Sequence, residues 1–223
     1  MNQLLIVVCT KAKTDSEFER RPIYSSLKKQ LDNNTNITSH VFKNNELGLS
    51  ECYNKILKNP LYLDWTVLFV HDDVILEDLF LYEKLMSSPY SITGLAGTKS
   101  FDKNAEHLAW HLASKPEDFV GEVAHICDGK TFTTKFGPTD SRALIIDGLF
   151  ISCKVTEMVE HELYFNEAFG FHFYDICFCL SANEKKVTCG VLPIRAVHYG
   201  LGDSMLATSW KVANVKFKQM FCV

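Results

Sequence analysis

Residues 65–78, WTVLFVHDDVILED, decide the fold. Positions 66–70 are all β-branched or apolar, the pattern of a strand buried on both faces. They run directly into His71, Asp72 and Asp73, three candidate metal ligands in a row, and then into apolar Val74, Ile75 and Leu76. Glu77 and Asp78 suit the first turn of a following helix, where the helix dipole favours negative charge. In an open α/β sheet, ligands bind just beyond the carboxyl ends of the strands. A buried strand ending in carboxylates is therefore a natural cation site. The alternative is a polar turn whose acids face water, and the surrounding chain decides between them.

Upstream, Leu4–Cys9 is a continuous apolar run that reads as an interior strand, and residues 10–21 read as a loop. Pro22 is placed to begin a helix in which Ile23, Leu27 and Leu31 recur at helical spacing. Residues 33–36 end it, Ile37–Phe42 reads as a second strand, and residues 43–48 form a loop at that strand's carboxyl end. Ser50 resembles an N-cap for a helix through Leu57, stopped by Asn59 and Pro60. The resulting strand–helix–strand–helix–strand order is half of a doubly wound sheet, with right-handed crossovers expected. No glycine-rich turn follows the first strand and no P-loop occurs, which argues against a Rossmann dehydrogenase and a P-loop NTPase.

Downstream, a helix is expected near residues 79–86 and a strand over 90–96, with Gly97 turning the chain. Residues 98–139 are less regular, with short strands over 120–126 and 131–136, and contain Trp110, His107, His111 and His125. Residues 142–146 read as a strand delivering Asp147 and Gly148, followed by an apolar run over 149–153 and a short helix over 154–161. The segment from Phe173 to Leu180 is apolar on nearly every side, so a buried helix is expected there, with Asp175 near its start. Residues 187–192 are strand-like, and residues 195–198 lead into Tyr199, Gly200, Leu201 and Gly202. The tail, 205–223, reads as a terminal helix packing on the sheet or on a lipid surface.

The 223 residues allow one sizeable domain, and no repeat, low-complexity segment or linker interrupts them. A formal net charge of -4 argues against a nucleic-acid partner. The eight cysteines form no CxxC pair and sit mostly in apolar runs, which fits buried reduced thiols rather than a zinc site or a disulfide framework. The N-terminal residues lack a signal-peptide pattern, and no apolar run approaches the length of a membrane span. A cytoplasmic protein is expected, with any membrane contact peripheral.

Three acidic stations thus stand at element boundaries: Asp72 with Asp73, Asp147, and Asp175, with His198 after the last strand. Hard divalent ions such as Mg2+ or Mn2+ take oxygen ligands and keep water or phosphate in the remaining positions, and Mn2+ tolerates imidazole. A second carboxylate set apart from the metal can serve as a general base. Taken singly, each station also has a structural reading: a dipole-stabilising Asp175, a turn-forming Asp147, a hydrogen-bonded His198.

In that order, the stations resemble a family 2-like glycosyltransferase of the GT-A fold. Residues 48–57, GLSECYNKIL, resemble the helix whose asparagine, here Asn54, lies near the donor. VLFVHDDV, 67–74, resembles the strand and its DxD motif, with His71 in the first acidic position. IDGLFIS, 146–152, resembles a turn near the sugar and acceptor. FNEAFGFHFYDICFCLSANEKKV, 165–187, resembles the catalytic helix region, and AVHYGLG, 196–202, the late histidine turn. The sequence departs from the family's pattern at His71, which stands for an aspartate, and at Tyr174, which stands for a glutamate.

The resemblance implies a single GT-A-like α/β domain, a doubly wound mixed sheet flanked by helices. Residues 1–97 would be its nucleotide-binding half, and residues 98–223 its acceptor-side half with the catalytic helix. It implies a nucleotide-diphospho-sugar donor, a saccharide or other hydroxyl acceptor, a divalent cation (Mn2+ or Mg2+) and inverting transfer. Asp175 would be the general base, Asp73 and His198 the metal contacts. Cys9, Thr10, Asn45, Asn54, His71 and Asp72 would lie on the donor, and Asp147, Gly148 and Trp110 on the sugar or acceptor. A nucleotide-sugar-binding protein without catalysis, or an inactive partner subunit, is the rival that His71 favours. A sugar-phosphate nucleotidyltransferase would want a glycine-rich loop after the first strand, and CTKAKTDSEFERR, 9–21, has none.

Overall fold

The computed structural model describes residues 3–200 and 207–221. Its strands are, in chain order, β1 (Leu4–Cys9), β2 (Ile37–Phe42), β3 (Thr66–His71), β4 (Val74–Leu76), β5 (Ile92–Gly94), β6 (Ala96–Thr98), β7 (Phe119–Cys127), β8 (Lys130–Lys135), β9 (Ser141–Ala143), β10 (Ile145–Ile146), β11 (Phe150–Lys154), β12 (Cys189–Val191) and β13 (Ala196–Tyr199). The α-helices are α1 (Asp15–Phe18), α2 (Ile23–Asn33), α3 (Leu49–Leu57), α4 (Leu81–Met86), α5 (Val155–Glu160), α6 (Tyr174–Glu184) and α7 (Thr208–Phe221). No helix among the described residues is long and apolar enough to cross a membrane.

The expected βαβαβ half is present. β1 pairs in parallel with β2 on one side and β3 on the other. Leu4 to Val8 and Val67 to Val70 are all at most 1% exposed, which is why these successive positions are all apolar rather than alternating. β1 is where the strand order reverses, so the carboxyl ends of β1 and β3 mark the switch point beyond which open α/β sheets bind ligands.

The mixed α/β architecture flanked by helices is as expected, but the strands form two mixed sheets. Seven strands run β2-β1-β3-β11-β5-β12-β9, and a second sheet runs β10-β6-β7-β13-β4 with β8 beside β7. The chain passes from one sheet to the other seven times: at 72–73, at 77–91, at Leu95, at 136–140, at Leu144, at 147–149 and at 192–195. Several expectations for this region are corrected by these crossings. The strand expected over 90–96 is broken at Leu95, and the one over 142–146 is broken at Leu144. Gly97 does not turn the chain but lies inside β6, where a Cβ would stand 2.0 Å from the Ile145 carbonyl oxygen. Only glycine permits so close a backbone approach.

Local capping accounts for the other differences. Residues 10–21 contain the one-turn α1, because the Thr14 side chain accepts from Glu17 N–H. Ser50 is not the cap of α3: Gly48 is, and the Ser50 hydroxyl donates 2.6 Å to the Phe169 carbonyl. Glu77 and Asp78 do not open a helix. Asp78 is buried and accepts from the Phe80 and Arg195 N–H groups and from Lys84, tying the two sheets' connections together.

α6 is buried nearly all round and packs on β10 and β12, with Phe178 stacked on Phe165 at 4.0 Å. α7 packs neither on the sheet nor wholly outward. Its Phe217 stacks on Phe173 and meets Phe101 and Phe169, while Val212, Val215 and Met220 face solvent. Leu201 and Gly202 of the expected histidine turn lie outside the described residues.

Candidate active site

The carboxylates of interest occupy the crossings between sheets or the start of α6. Asp72 and Asp73 form the turn from β3 to β4, and Asp147 and Gly148 the turn from β10 to β11. A cavity of about 620 Å³ lies there, lined among others by His71, Asp73, Trp110, Asp147, Gly148, Asp175 and His198. The structure thus brings together residues spread over more than a hundred positions.

Asp175 is aimed by a strained residue. Phe173, which precedes α6, has φ +66°, a left-handed conformation that a bulky side chain adopts at a cost of about 1–2 kcal/mol. Its stacking with Phe217 offsets that cost. The Asp175 carboxylate then accepts from Gly148 N–H at 3.0 Å and from Ile176 N–H at 2.9 Å. Burial pushes its pKa up to about 7, and nearby Asp147 adds to the rise, against those two N–H groups. Such a carboxyl is poised for proton transfer near neutrality.

Asp73 and His198 face each other, with His198 Nε2 3.3 Å from Asp73 Oδ2. Burial opposes ionisation of Asp73, but the His198 contact and nearby His71 outweigh it and hold the carboxyl below its usual range. The Asp73 contact in turn raises the His198 pKa against burial. Asp73 Oδ1 is buried without a hydrogen-bond partner among the described residues. An ionised oxygen left this way is costly unless something else completes its coordination. No group of three His, Cys, Asp or Glu among the described residues could hold a metal ion. The Asp73–His198 pair therefore fits a hard cation only if phosphate or water supplies the other ligands.

The two departures from the family pattern are in contact. Tyr174 Oη donates 2.7 Å to the Gly148 carbonyl and lies 2.9 Å from His71 Nε2. Because the hydroxyl proton is committed to the carbonyl, His71 must be the donor at Nε2, which fixes its tautomer. Burial lowers the His71 pKa, so the ring is neutral. His71 supplies no negative charge to the site, and Tyr174 locks it to the turn that carries Gly148. Five of the eight histidines line the cavity. Burial also lowers the pKa of His111 and His125, whereas the Asp73 contact raises that of His198.

Asp147 is fully engaged: Oδ2 accepts from Trp110 Nε1 at 2.8 Å and Oδ1 from Leu149 N–H at 3.0 Å. It holds Trp110 against Phe119 and Phe136 as one wall of the cavity. Phe171, 51% exposed, stacks on His71 and also lines the cavity. Gly148 has no room for a side chain. A Cβ there would stand 2.5 Å from Tyr174 Oη and 3.1 Å from Asp175 Oδ2. Gly148→Ala should therefore displace both groups and lower any turnover roughly ten- to a hundredfold, with a smaller effect on stability. Steady-state kinetics beside a melting curve measure both, and unchanged kcat would show that this packing does not position Asp175.

The remaining sequence-derived residues lie outside the cavity. Cys9, Thr10, Asn45 and Asp72 gather at the carboxyl ends of β1, β2 and β3. The Thr10 hydroxyl donates 2.6 Å to Asp72 Oδ2, Asn45 N–H donates 3.0 Å to the Thr10 carbonyl, and the Cys52 thiol between Cys9 and Asn45 donates 3.3 Å to Asn45 Oδ1. Asn54 points elsewhere. It clamps the segment before α6 through the Phe165 N–H and carbonyl and the Glu167 carboxylate. Arg21 was not singled out by the sequence, yet its guanidinium grips Asp72 in a two-point contact, both at 2.8 Å. Nothing local marks it, since the partners are 51 positions apart. In the sequence His125 is one residue of an irregular segment; the β7–β13 register puts it directly beside His198. The seven described cysteines are all free, as expected.

No protein-family model matches this chain, and no curated protein matches it in sequence. Solved structures do match. A197 from STIV is 13% identical over 89% of this chain and 86% of that chain, with a TM-score of 0.52, a likeness of fold. A putative glucose-1-phosphate thymidylyltransferase from Bacillus anthracis in complex with a sucrose is 12% identical, over 98% and 96% of the two chains, at a TM-score of 0.39. The inositol-1-phosphate CTP transferase from T. maritima is also 12% identical, over 97% and 96%, at 0.37. The last two scores are too low to carry an argument about this chain.

Proposed function

We propose that the protein is a glycosyltransferase that moves a sugar from a nucleotide-diphosphate donor to an acceptor hydroxyl, with inversion. The observation that carries this reading is the shared cavity. A carboxylate with a pKa near 7, Asp175, faces the same space as an ionised Asp73 with an unpartnered oxygen. One group is suited to taking a proton and the other to holding a charge-neutralising cation.

The nucleoside end of the donor would lie beyond the carboxyl ends of β1 and β3, against Cys9, Thr10, Asn45 and Asp72. Its diphosphate would lie toward Asp73 and His198, which would hold Mg2+ or Mn2+. When bound, that ion supplies Lewis-acid stabilisation of charge developing on the departing diphosphate. Asp175 takes the proton from the attacking hydroxyl, and Gly148 N–H keeps its carboxylate oriented. Trp110 and Phe171 shelter the reacting atoms and offer flat faces to a sugar ring. His71, neutral and tied to Tyr174, fixes the turn between β10 and β11.

Calorimetry with a panel of nucleotide sugars, with and without Mn2+, followed by assay of sugar release or transfer, tests this reading. Donor binding that strengthens with Mn2+ and is followed by turnover is expected. Asp73→Ala should lose at least tenfold in donor affinity with Mn2+ present while keeping the metal-free value. The neutral His71 favours a second reading, a nucleotide-sugar-binding protein without catalysis. Binding without turnover, even with acceptor extracts, would select it, and no donor binding at all would sink both.

A further inference from the structure

A second cavity, about 410 Å³, shares no lining residue with the first and is lined by Lys99, Arg142 and Lys186 with Asn183, Thr188 and Leu144. Three observations set it apart from an ordinary solvated basic surface. First, no acidic side chain lines it, and none of the three cations forms an ion pair among the described residues. The nearby acid Asp140 accepts a hydrogen bond from the Tyr90 hydroxyl at 3.1 Å instead. The protein as a whole carries a formal charge of -4, so this concentration of unmatched positive charge runs against the average.

Second, the cations come from separate parts of the chain. Lys99 follows β6, Arg142 lies in β9, and Lys186 follows the C-terminus of α6. Third, Lys186 occupies a position that favours glycine. Its φ is +60°, and Lys186 N–H donates to the Asn183 carbonyl at 3.1 Å while Val187 N–H donates to the Ala182 carbonyl at 2.9 Å. This is the Schellman turn that ends many helices, where glycine is usual because a Cβ is disfavoured. The backbone already satisfies those two carbonyls, so the lysine side chain is not needed to cap them. Glu162 takes the same position after α5 (φ +47°), so the strain alone marks no site; here it fixes one of the three lining cations in place.

We propose that this cavity is a second ligand site that takes a phosphate-bearing anion on Lys99, Arg142 and Lys186. Arg142 can meet two phosphate oxygens at once through its planar fork, and the lysines add point charge. The volume is that of a small-molecule site rather than of a single ion, and Leu144 and Thr188 would face the body that carries the phosphate. The proposal is independent of the glycosyltransferase reading. It also places the ligand at the far ends of two elements that build the active site. β9 leads on to Asp147 and Gly148, and α6 begins beside Asp175.

The test uses the full chain in EDTA, so that no divalent cation recruits phosphate to Asp73. Inorganic pyrophosphate at constant ionic strength should bind saturably by calorimetry and raise the melting temperature by several degrees. Arg142→Ala combined with Lys186→Gly should weaken that binding at least tenfold. Lys186→Gly alone should melt no lower than the wild type, because glycine suits that φ, so lost binding cannot be ascribed to lost folding. Flotation with vesicles containing anionic phospholipid, against neutral vesicles, separates the sources of the phosphate. Variant-sensitive vesicle binding without pyrophosphate binding identifies a headgroup, and the converse identifies a free phosphate ligand. If neither probe binds, or if binding survives the double variant, the proposal is overturned.

Discussion

Asp175→Asn is expected to slow sugar transfer by about 10² to 10⁴-fold, the usual worth of a positioned general base, with donor affinity changed little. Asn keeps the shape of the side chain and one hydrogen-bond acceptor but cannot accept the proton. In the wild type, turnover should rise with pH through about 7, where Asp175 ionises, and that limb should vanish in the variant. Stability moves the opposite way. The folded-state pKa lies above the ordinary value of 3.8, so the neutral acid is the form the fold prefers. Its contribution is full below the unfolded-state value and is lost as pH rises through about 7. A rise of that size corresponds to a contribution on the order of 4 kcal/mol. The variant should lack this loss, so the stability difference between the two proteins should shift in the variant's favour from pH 5 to pH 8. Asn must turn its amide toward the Gly148 or the Ile176 N–H, which costs about 1 kcal/mol and offsets part of the gain. Full activity in Asp175→Asn would remove it as the base. A pH-independent stability difference would show that its carboxyl is not held neutral by burial.

The largest expected effect on folding is at Gly121. This residue of β7 has φ +85°, and a Cβ there would stand 2.0 Å from the Leu95 carbonyl oxygen and 2.7 Å from the Ala96 Cα. Both neighbours are backbone atoms at the crossing from β5 to β6, so no side chain can yield. Gly121→Ala combines left-handed strain with overpacking, each on the order of 1–3 kcal/mol. A loss of about 3–5 kcal/mol is expected, or a fall of roughly 6–20 °C in melting temperature for a protein of this size. Gly129→Ala is a suitable comparison. It also has positive φ (+72°), but nothing lies within 4 Å of its Cβ, so only the strain remains. Equal losses at the two sites would mean that the close approach at Leu95 contributes nothing.

The elements legible in the sequence are those whose local pattern has one physical cause. β1 and β3 are covered on both faces, which demands apolar residues at every position, and such runs are visible without a structure. α6 is apolar all round for the same reason, and Asp175 stands out because it is the acid at that helix's start. Gly97 and Gly121 were not legible as close-approach glycines, since the backbone atoms they admit lie 48 and 26 positions away, at Ile145 and Leu95. Ser50 has the local context of a cap, but its hydroxyl is used by Phe169, 119 positions on.

The sequence by itself determined the βαβαβ half of the fold and the order of the acidic stations, because hydrophobic burial and chain direction leave a periodic, local imprint; that β1 lies between β2 and β3 came from the pairing of the strands. Only the tertiary structure decided that the strands split into two sheets. It also decided that the crossings between them collect Asp73, Asp147 and Gly148 around Asp175, and that His71 is bound to Tyr174. Those outcomes depend on contacts between residues far apart in the chain, where a single glycine or hydroxyl is chosen by its partner's position and not by its neighbours in sequence.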